Sequence, residues 1–144
     1  MKIKKWTSLI LTVLLLTCIM APSALAASKA SYYLDSYAIA LQASSGGKMV
    51  VTYGVYGTKT MDKIGAYSLK IEMETSADKW VSIATMYGDD YPDEMYSMDS
   101  LFHENSYTFY GAPGSRYRAT LVAYAALGSG DDTGEIVSAA RVCK

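Results

Sequence analysis

Carboxylates are the most concentrated reactive side chains in this chain of 144 residues. One short segment contains five of them and two tyrosines, namely Asp89, Asp90, Tyr91, Asp93, Glu94, Tyr96 and Asp99. Such oxygens could ligate calcium, or two of them could serve as the acid and base of a glycoside hydrolase. Their spacing does not follow the helix-loop-helix calcium pattern, so we expect residues 88–99 to form a solvated acidic loop that binds no metal.

Histidine and cysteine are too scarce for most other chemistry. His103 and Cys143 are the single histidine and the single cysteine that follow residue 26. Cysteine catalysis needs a histidine beside the thiol, and a zinc site needs three or four regularly spaced ligands. The chain also lacks a Gly-x-Ser-x-Gly nucleophile motif, a phosphate-binding loop and a dinucleotide-binding motif. We predict no enzyme activity and no cofactor; a hydrolase or glycosidase built on residues 89–99 is the alternative.

Tyrosine is the unusual residue, with 13 copies beside two phenylalanines. Its rigid amphipathic ring gives contact area at a small entropic cost, and loop tyrosines often form binding surfaces. Tyr91 and Tyr96 therefore suggest that the acidic loop binds an extracellular protein or carbohydrate. Two alternatives stay open: these rings cover one end of the core, or the loop inhibits a protease.

The amino terminus has the layout of a secretory signal peptide. Three lysines precede an apolar run over residues 9–20, Pro22 breaks it, and Ala24-Leu25-Ala26 supplies small residues for cleavage. The run is shorter than the roughly 20 residues that span a bilayer. We predict cleavage between Ala26 and Ala27, a signal peptide over 1–26, a secreted domain over 27–144 and no membrane association after cleavage.

Cys18 permits a different interpretation of the same terminus, because bacterial lipoproteins carry a cysteine at the end of the apolar run. Thr17 precedes it, where glycine, alanine or serine is usual. Cleavage after Ala26 is therefore the preferred prediction.

Cleavage would leave 10 basic and 14 acidic residues, because it removes three lysines and no acid. A net charge of −4 is unlike that of nucleic-acid-binding proteins, so we expect no nucleic-acid partner. Cys143 would be the sole cysteine of the secreted chain. Because it lies one residue from the terminus, we expect a frayed end whose thiol can form a disulfide-linked dimer.

Apolar residues alternate with polar ones in most of the domain, which predicts β-strands. The clearest alternation is at 67–74, and a short polar link joins it to 80–87 as a hairpin. Seven strands are predicted, at 32–42, 48–57, 67–74, 80–87, 106–110, 117–127 and 135–143. The expected fold is all-β: a seven-stranded antiparallel β-sandwich without internal repeats or linkers.

Two segments resemble parts of a fibronectin type III domain. The hairpin that contains Tyr67 and Trp80 is similar to the central hairpin of that family. Pro113, four residues before Tyr117, resembles the tyrosine corner, whose hydroxyl bonds to the chain just upstream. The resemblance implies an immunoglobulin-like sandwich over 32–143 and a structural role for these residues. The chain also looks like small secreted bacterial β-proteins.

Overall fold

The computed structural model describes residues 26–28 and 31–144, and in these ranges the chain is almost entirely antiparallel β-structure. Its eight described strands are β1 (Ala26–Ser28), β2 (Leu34–Ala43), β3 (Lys48–Ser76), β4 (Lys79–Tyr87), β5 (Tyr96–Tyr110), β6 (Arg116–Leu127), β7 (Gly130–Val137) and β8 (Arg141–Val142). A four-residue helix, α1 (Pro92–Met95), separates β4 from β5. The predicted all-β antiparallel class is therefore confirmed.

The signal peptide predicted over 1–26 and the alternative at Cys18 lie outside the described residues, apart from Ala26. Ala26 and Ala27 belong to β1, whose backbone pairs with Ile39 and Ala38 of β2. Cleavage between these two alanines stays a prediction. No helix in the described ranges has the length and apolarity needed to span a membrane.

Strand β3 has 29 residues and organises the whole sheet. Its first half pairs with β2 on one side and β5 on the other, and its second half pairs with β6 and β4. Register shifts in these pairings fall between Tyr56 and Met61 and between Ala66 and Ser68. Such irregularities bend a strand, and the sheet curls around a core that lies between the two halves.

Four predicted strand boundaries are wrong. The segments at 48–57 and 67–74 belong to one strand, because the buried side chains of Met61 and Ile64 hold the residues between them in the sheet. Strand β5 begins at Tyr96, ten residues before the predicted start at 106. Strand β7 begins at Gly130, five residues before the predicted start at 135, because pairing with β6 outweighs the weak strand propensity of glycine and aspartate. The strand predicted over 135–143 is divided, since β7 ends at Val137 and β8 covers Arg141–Val142.

The core follows the predicted period of two on two strands. Met49, Val51, Tyr53 and Val55 form the buried face of β3, and Tyr117, Ala119, Leu121, Ala123 and Ala125 form that of β6. The alternation predicted for 67–74 fails at two positions, Tyr67 and Glu72. Tyr67 is 47% exposed and Glu72 only 7% exposed, because a register shift turns Tyr67 outward and Arg118 pairs with Glu72.

Tyrosine rings packed on glycines account for much of the tyrosine content. At five glycines an added Cβ would meet a tyrosine ring within about 3 Å; the pairs are Tyr33–Gly130, Tyr37–Gly134, Tyr56–Gly54, Tyr96–Gly88 and Tyr117–Gly111. Each tyrosine therefore occupies space that a side chain at its glycine would fill. This packing covers apolar area while the hydroxyl reaches a polar neighbour or solvent.

The hydroxyl of Tyr117 makes the upstream hydrogen bond that the sequence predicts. It accepts from the Ala112 N–H at 2.8 Å, and the ring is 2% exposed. Tyr117→Phe leaves that N–H without its acceptor, so we expect a loss of roughly 1–3 kcal/mol in unfolding free energy. Urea unfolding would show a lower midpoint at an unchanged slope. An unchanged midpoint would mean that solvent replaces the hydroxyl at no cost.

The carboxyl terminus is not frayed, which corrects the expectation for Cys143. The residue is 2% exposed, its N–H donates to the Ser115 carbonyl at 2.9 Å, and its carbonyl accepts from Gly114 at 2.9 Å. The Gly47 N–H also donates to the Lys144 carbonyl at 2.7 Å. Because a disulfide to a second copy needs an exposed thiol, this burial argues against the disulfide-linked dimer.

Burial of the thiol predicts slow chemical modification. We expect Cys143 in the folded protein to react with an aromatic disulfide reagent far more slowly than in denaturant, because the thiol must first leave the core. Spectrophotometric thiol titration of the native and the urea-unfolded protein measures both rates. Equal rates would show that the terminus opens freely, as a frayed end would.

Candidate functional site

Residues 88–99 do not form one exposed loop. A turn at 88–91 leads into α1, and β5 begins at Tyr96. Met95 is 4% exposed and Tyr96 is 6% exposed, because their apolar surfaces pack into the core and beside Gly88. The predicted loop is therefore wrong for its second half. The other candidate binding residues are exposed as expected, namely Asp89, Asp90, Tyr91, Asp93 and Glu94.

The exposed part of this segment is anchored at both ends. The Lys63 ammonium lies 3.3 Å from a carboxylate oxygen of Asp89 and 3.9 Å from the Tyr96 ring centroid. Asn105 donates to the Glu94 carbonyl at 2.6 Å. Burial, with the charge of Asp89, raises the pKa of Tyr96 to about 12. In the described part of the chain, no three histidine, cysteine or carboxylate side chains converge as a metal would require.

His103 lies in a buried polar row rather than in an open site. Its Nδ1 is 3.0 Å from the Ser97 hydroxyl, and its Nε2 is 3.5 Å from the Tyr53 hydroxyl. A serine beside an imidazole has the composition of a nucleophile and its base. However, His103 is 6% exposed, so its imidazole is not accessible to a substrate.

The burial of His103 predicts a specific pH dependence of stability. Burial lowers the pKa of His103, so the unfolded chain binds a proton at higher pH than the folded chain does. Unfolding free energy should therefore decline as pH falls below the ordinary histidine value of about 6.5. Urea unfolding between pH 7.5 and about 5 measures the decline, in a range above that in which carboxylates titrate.

His103→Gln is the matched control for this pH effect, since glutamine keeps polar atoms near Ser97 and Tyr53 but does not titrate. The stability of the variant should be flat over the same pH range. A decline equal to that of the wild type would assign the effect to another group.

A depression lies on the outer face of β2, β3 and β5. It measures about 260 Å³ and is lined by Ala38, Thr52, Tyr53, Gly54, Tyr56 and Glu104. Ala38, Gly54 and Glu104 occupy one cross-strand row. The first two have little or no side chain, so this row forms a low floor. We call this depression the small-residue groove.

The ring of Tyr56 lines the small-residue groove, and the ring of Phe102 lies beside that of Tyr56. Tyr56 and Phe102 are directly opposite on β3 and β5, with centroids 6.2 Å apart and planes at 27°. The Tyr56 ring leans back over Gly54, and its hydroxyl donates to the Glu104 carboxylate. Phe102 is 48% exposed. The groove thus offers an apolar ring surface beside a carboxyl group that accepts hydrogen bonds.

Sequence reasoning missed this groove. Phe102 and Glu104 precede the strand predicted at 106–110, and Tyr56 lies within the strand predicted at 48–57, where nothing in the sequence marks it as a groove residue. The available signal was alternation at 102, 104 and 106, which continues the outward face of β5.

The remaining predicted residues have structural positions. Trp80 is half-buried on the outer face of β4, where Arg118 lies 4.4 Å and Arg116 lies 5.9 Å from its ring. Pro113 is exposed in the turn before β6. Comparison of the chain with protein-family models, with curated proteins and with solved structures finds no match.

Proposed function

We propose that this protein is a secreted, non-catalytic binding module that holds an extracellular ligand in the small-residue groove. In this proposal residues 1–26 are removed on export, and the curled sheet is an immunoglobulin-like sandwich related to fibronectin type III domains. The two halves of β3 pair with different strands around one core, and Tyr117 makes the bond of a tyrosine corner. These features favour a sandwich but concern architecture alone.

The groove is the observation that carries the proposed function. A floor of Ala38 and Gly54 lies beside the Tyr56 ring, which stacks with Phe102, and Glu104 accepts a hydrogen bond from the Tyr56 hydroxyl. Concave surfaces with aromatic walls and a few placed polar groups are typical of small-molecule sites. All three strands are regular here, so the ligand would meet a rigid surface.

Carbohydrate is the ligand class that fits this groove best. The apolar face of a sugar ring can stack on Phe102, and its hydroxyl groups can donate to Glu104. An extracellular protein is the second candidate, because Phe102 presents an exposed aromatic side chain that a partner could cover. The two candidates require the same residues and differ in the ligand.

Binding to immobilised neutral hexasaccharides and to a peptide array tests the proposal. We expect the wild type to bind a hexasaccharide and Phe102→Ser to lose about tenfold or more in affinity, since a stacked aromatic contact is removed. Tyr110→Ser is the matched control, because Tyr110 is 75% exposed and lies elsewhere on β5. Binding to peptides alone would favour the protein ligand. No binding to either array would contradict the proposed function.

A further inference from the structure

The outer face of β4, the second half of β3 and β6 presents a second surface, separate from the groove. We propose that Lys70, Arg116, Arg118 and Trp80, here called the cationic strip, bind the carboxylate groups of an acidic polysaccharide. This proposal does not depend on the function proposed for the groove.

Strand register brings the charged side chains of this surface together. Glu72 is opposite Arg118 of β6, and Glu74 is opposite Trp80 of β4. Arg118 Nε donates to Glu72 at 3.0 Å, and Arg116 donates to Glu74 at 2.7 Å. Each arginine is therefore held in place by its own carboxylate.

The cationic side chains are more exposed than the acidic ones, so the accessible charge of the strip is positive. The side chains of Lys70, Arg116 and Arg118 are 39%, 48% and 31% exposed. Those of Glu72 and Glu74 are 9% and 12% exposed. A ligand that approaches this face meets three cations before it meets a carboxylate, which is complementary to an anionic partner.

Both arginines keep unused donors. A guanidinium has five N–H donors, and Arg118 directs two of its nitrogens and Arg116 one of its nitrogens at the glutamates. The planar fork matches a carboxylate in two-point geometry. Trp80 lies against both guanidinium groups and limits their rotation. Binding to such preorganised groups costs little side-chain entropy.

The row of residues beyond Trp80 favours a glycan over other polyanions. Ser82, Thr85 and Tyr87 pair with Glu72, Lys70 and Ser68 on the same face of β3. The hydroxyl groups of Ser82 and Thr85 thus lie between the rings of Trp80 and Tyr87, which are roughly 20 Å apart along the strand. An extended sugar chain can stack on both rings and form hydrogen bonds with the hydroxyl groups between them.

Affinity electrophoresis in gels that contain polygalacturonate tests this inference, with neutral dextran as the parallel gel. We expect retardation of the wild type by polygalacturonate alone, weakened by added salt. Arg116→Gln should weaken it about tenfold, the usual effect of losing one charge-assisted contact. Lys59→Gln removes the same charge from an exposed site at the bend of β3 and should leave retardation unchanged.

Three results would overturn the inference: no retardation by polygalacturonate at low salt, equal weakening by Lys59→Gln and Arg116→Gln, or equal affinity for polyglutamate. Phe102→Ser should bind polygalacturonate as the wild type does. That variant separates the cationic strip from the small-residue groove, so that either proposal can fail alone.

Discussion

Gly65→Ala is expected to destabilise the protein by about 4 kcal/mol or more, the largest effect of any single substitution considered. Gly65 lies where β3 passes between β5 and β6, paired with Tyr96 on one side and Tyr124 on the other. An added Cβ would collide with the Met95 carbonyl oxygen and lie 2.9 Å from the Tyr96 Cα. Both obstacles are backbone atoms, so relief requires β3 and β5 to separate.

Gly114→Ala is the control that separates crowding from backbone strain. Gly65 has a φ of +154° and Gly114 a φ of +86°, but nothing lies within 4 Å of a Cβ at Gly114. The control should lose only about 1–2 kcal/mol, the cost of placing alanine in a left-handed conformation. Urea unfolding of both variants gives the comparison. Equal losses would show that β5 does not pack against β3 at Gly65.

Arg118→Met is expected to cost about 3 kcal/mol, because it leaves the buried carboxylate of Glu72 without its main partner. Arg118 donates to Glu72 through Nε at 3.0 Å and through one Nη at 3.4 Å, while Thr120 donates at 3.1 Å. Arg116→Met removes a more exposed pair with Glu74 and should cost about 1 kcal/mol or less.

The pH dependence of the stability lost in Arg118→Met identifies Glu72 as the source of the loss. Burial by itself raises the pKa of Glu72, but hydrogen bonds and charge from Arg118 outweigh it, and the net pKa lies below the ordinary value. The stabilisation is thus present above the ordinary glutamate value and is lost as pH falls through the lowered one. Unfolding free energies of wild type and Arg118→Met should converge in acid. A constant difference would assign the loss to packing of the arginine stem.

The strands that the sequence predicts well are those with one buried and one solvent-exposed face. Met49 to Val55 and Tyr117 to Ala125 alternate strictly, and the structure buries the expected side chains. Strand β5 was mostly missed because its apolar residues, including Met98, Leu101 and Phe102, point to solvent and break the alternation. Alternation of apolar and polar residues detects a strand only when its apolar side chains are buried, so a strand with exposed apolar residues is overlooked.

The candidate sites depend on contacts between residues that are distant in the chain. Tyr56 and Glu104 are 48 residues apart, and Glu72 and Arg118 are 46 apart. Only the register of β3 with β5 and β6 brings each pair together, and register cannot be deduced without knowing which strands are neighbours. The acidic segment, by contrast, is contiguous in sequence, so it can be recognised without knowledge of the fold.

Nuclear magnetic resonance mapping of ligand contacts tests the proposed function most directly. The measurement is a titration of the isotope-labelled protein with the hexasaccharide best retained on the array, followed through backbone amide shifts. We predict the largest changes at Ala38, Gly54, Tyr56, Phe102 and Glu104, with little change at Asp89 to Glu94. Changes centred on Asp89 to Glu94, or no changes in the groove, would contradict the account.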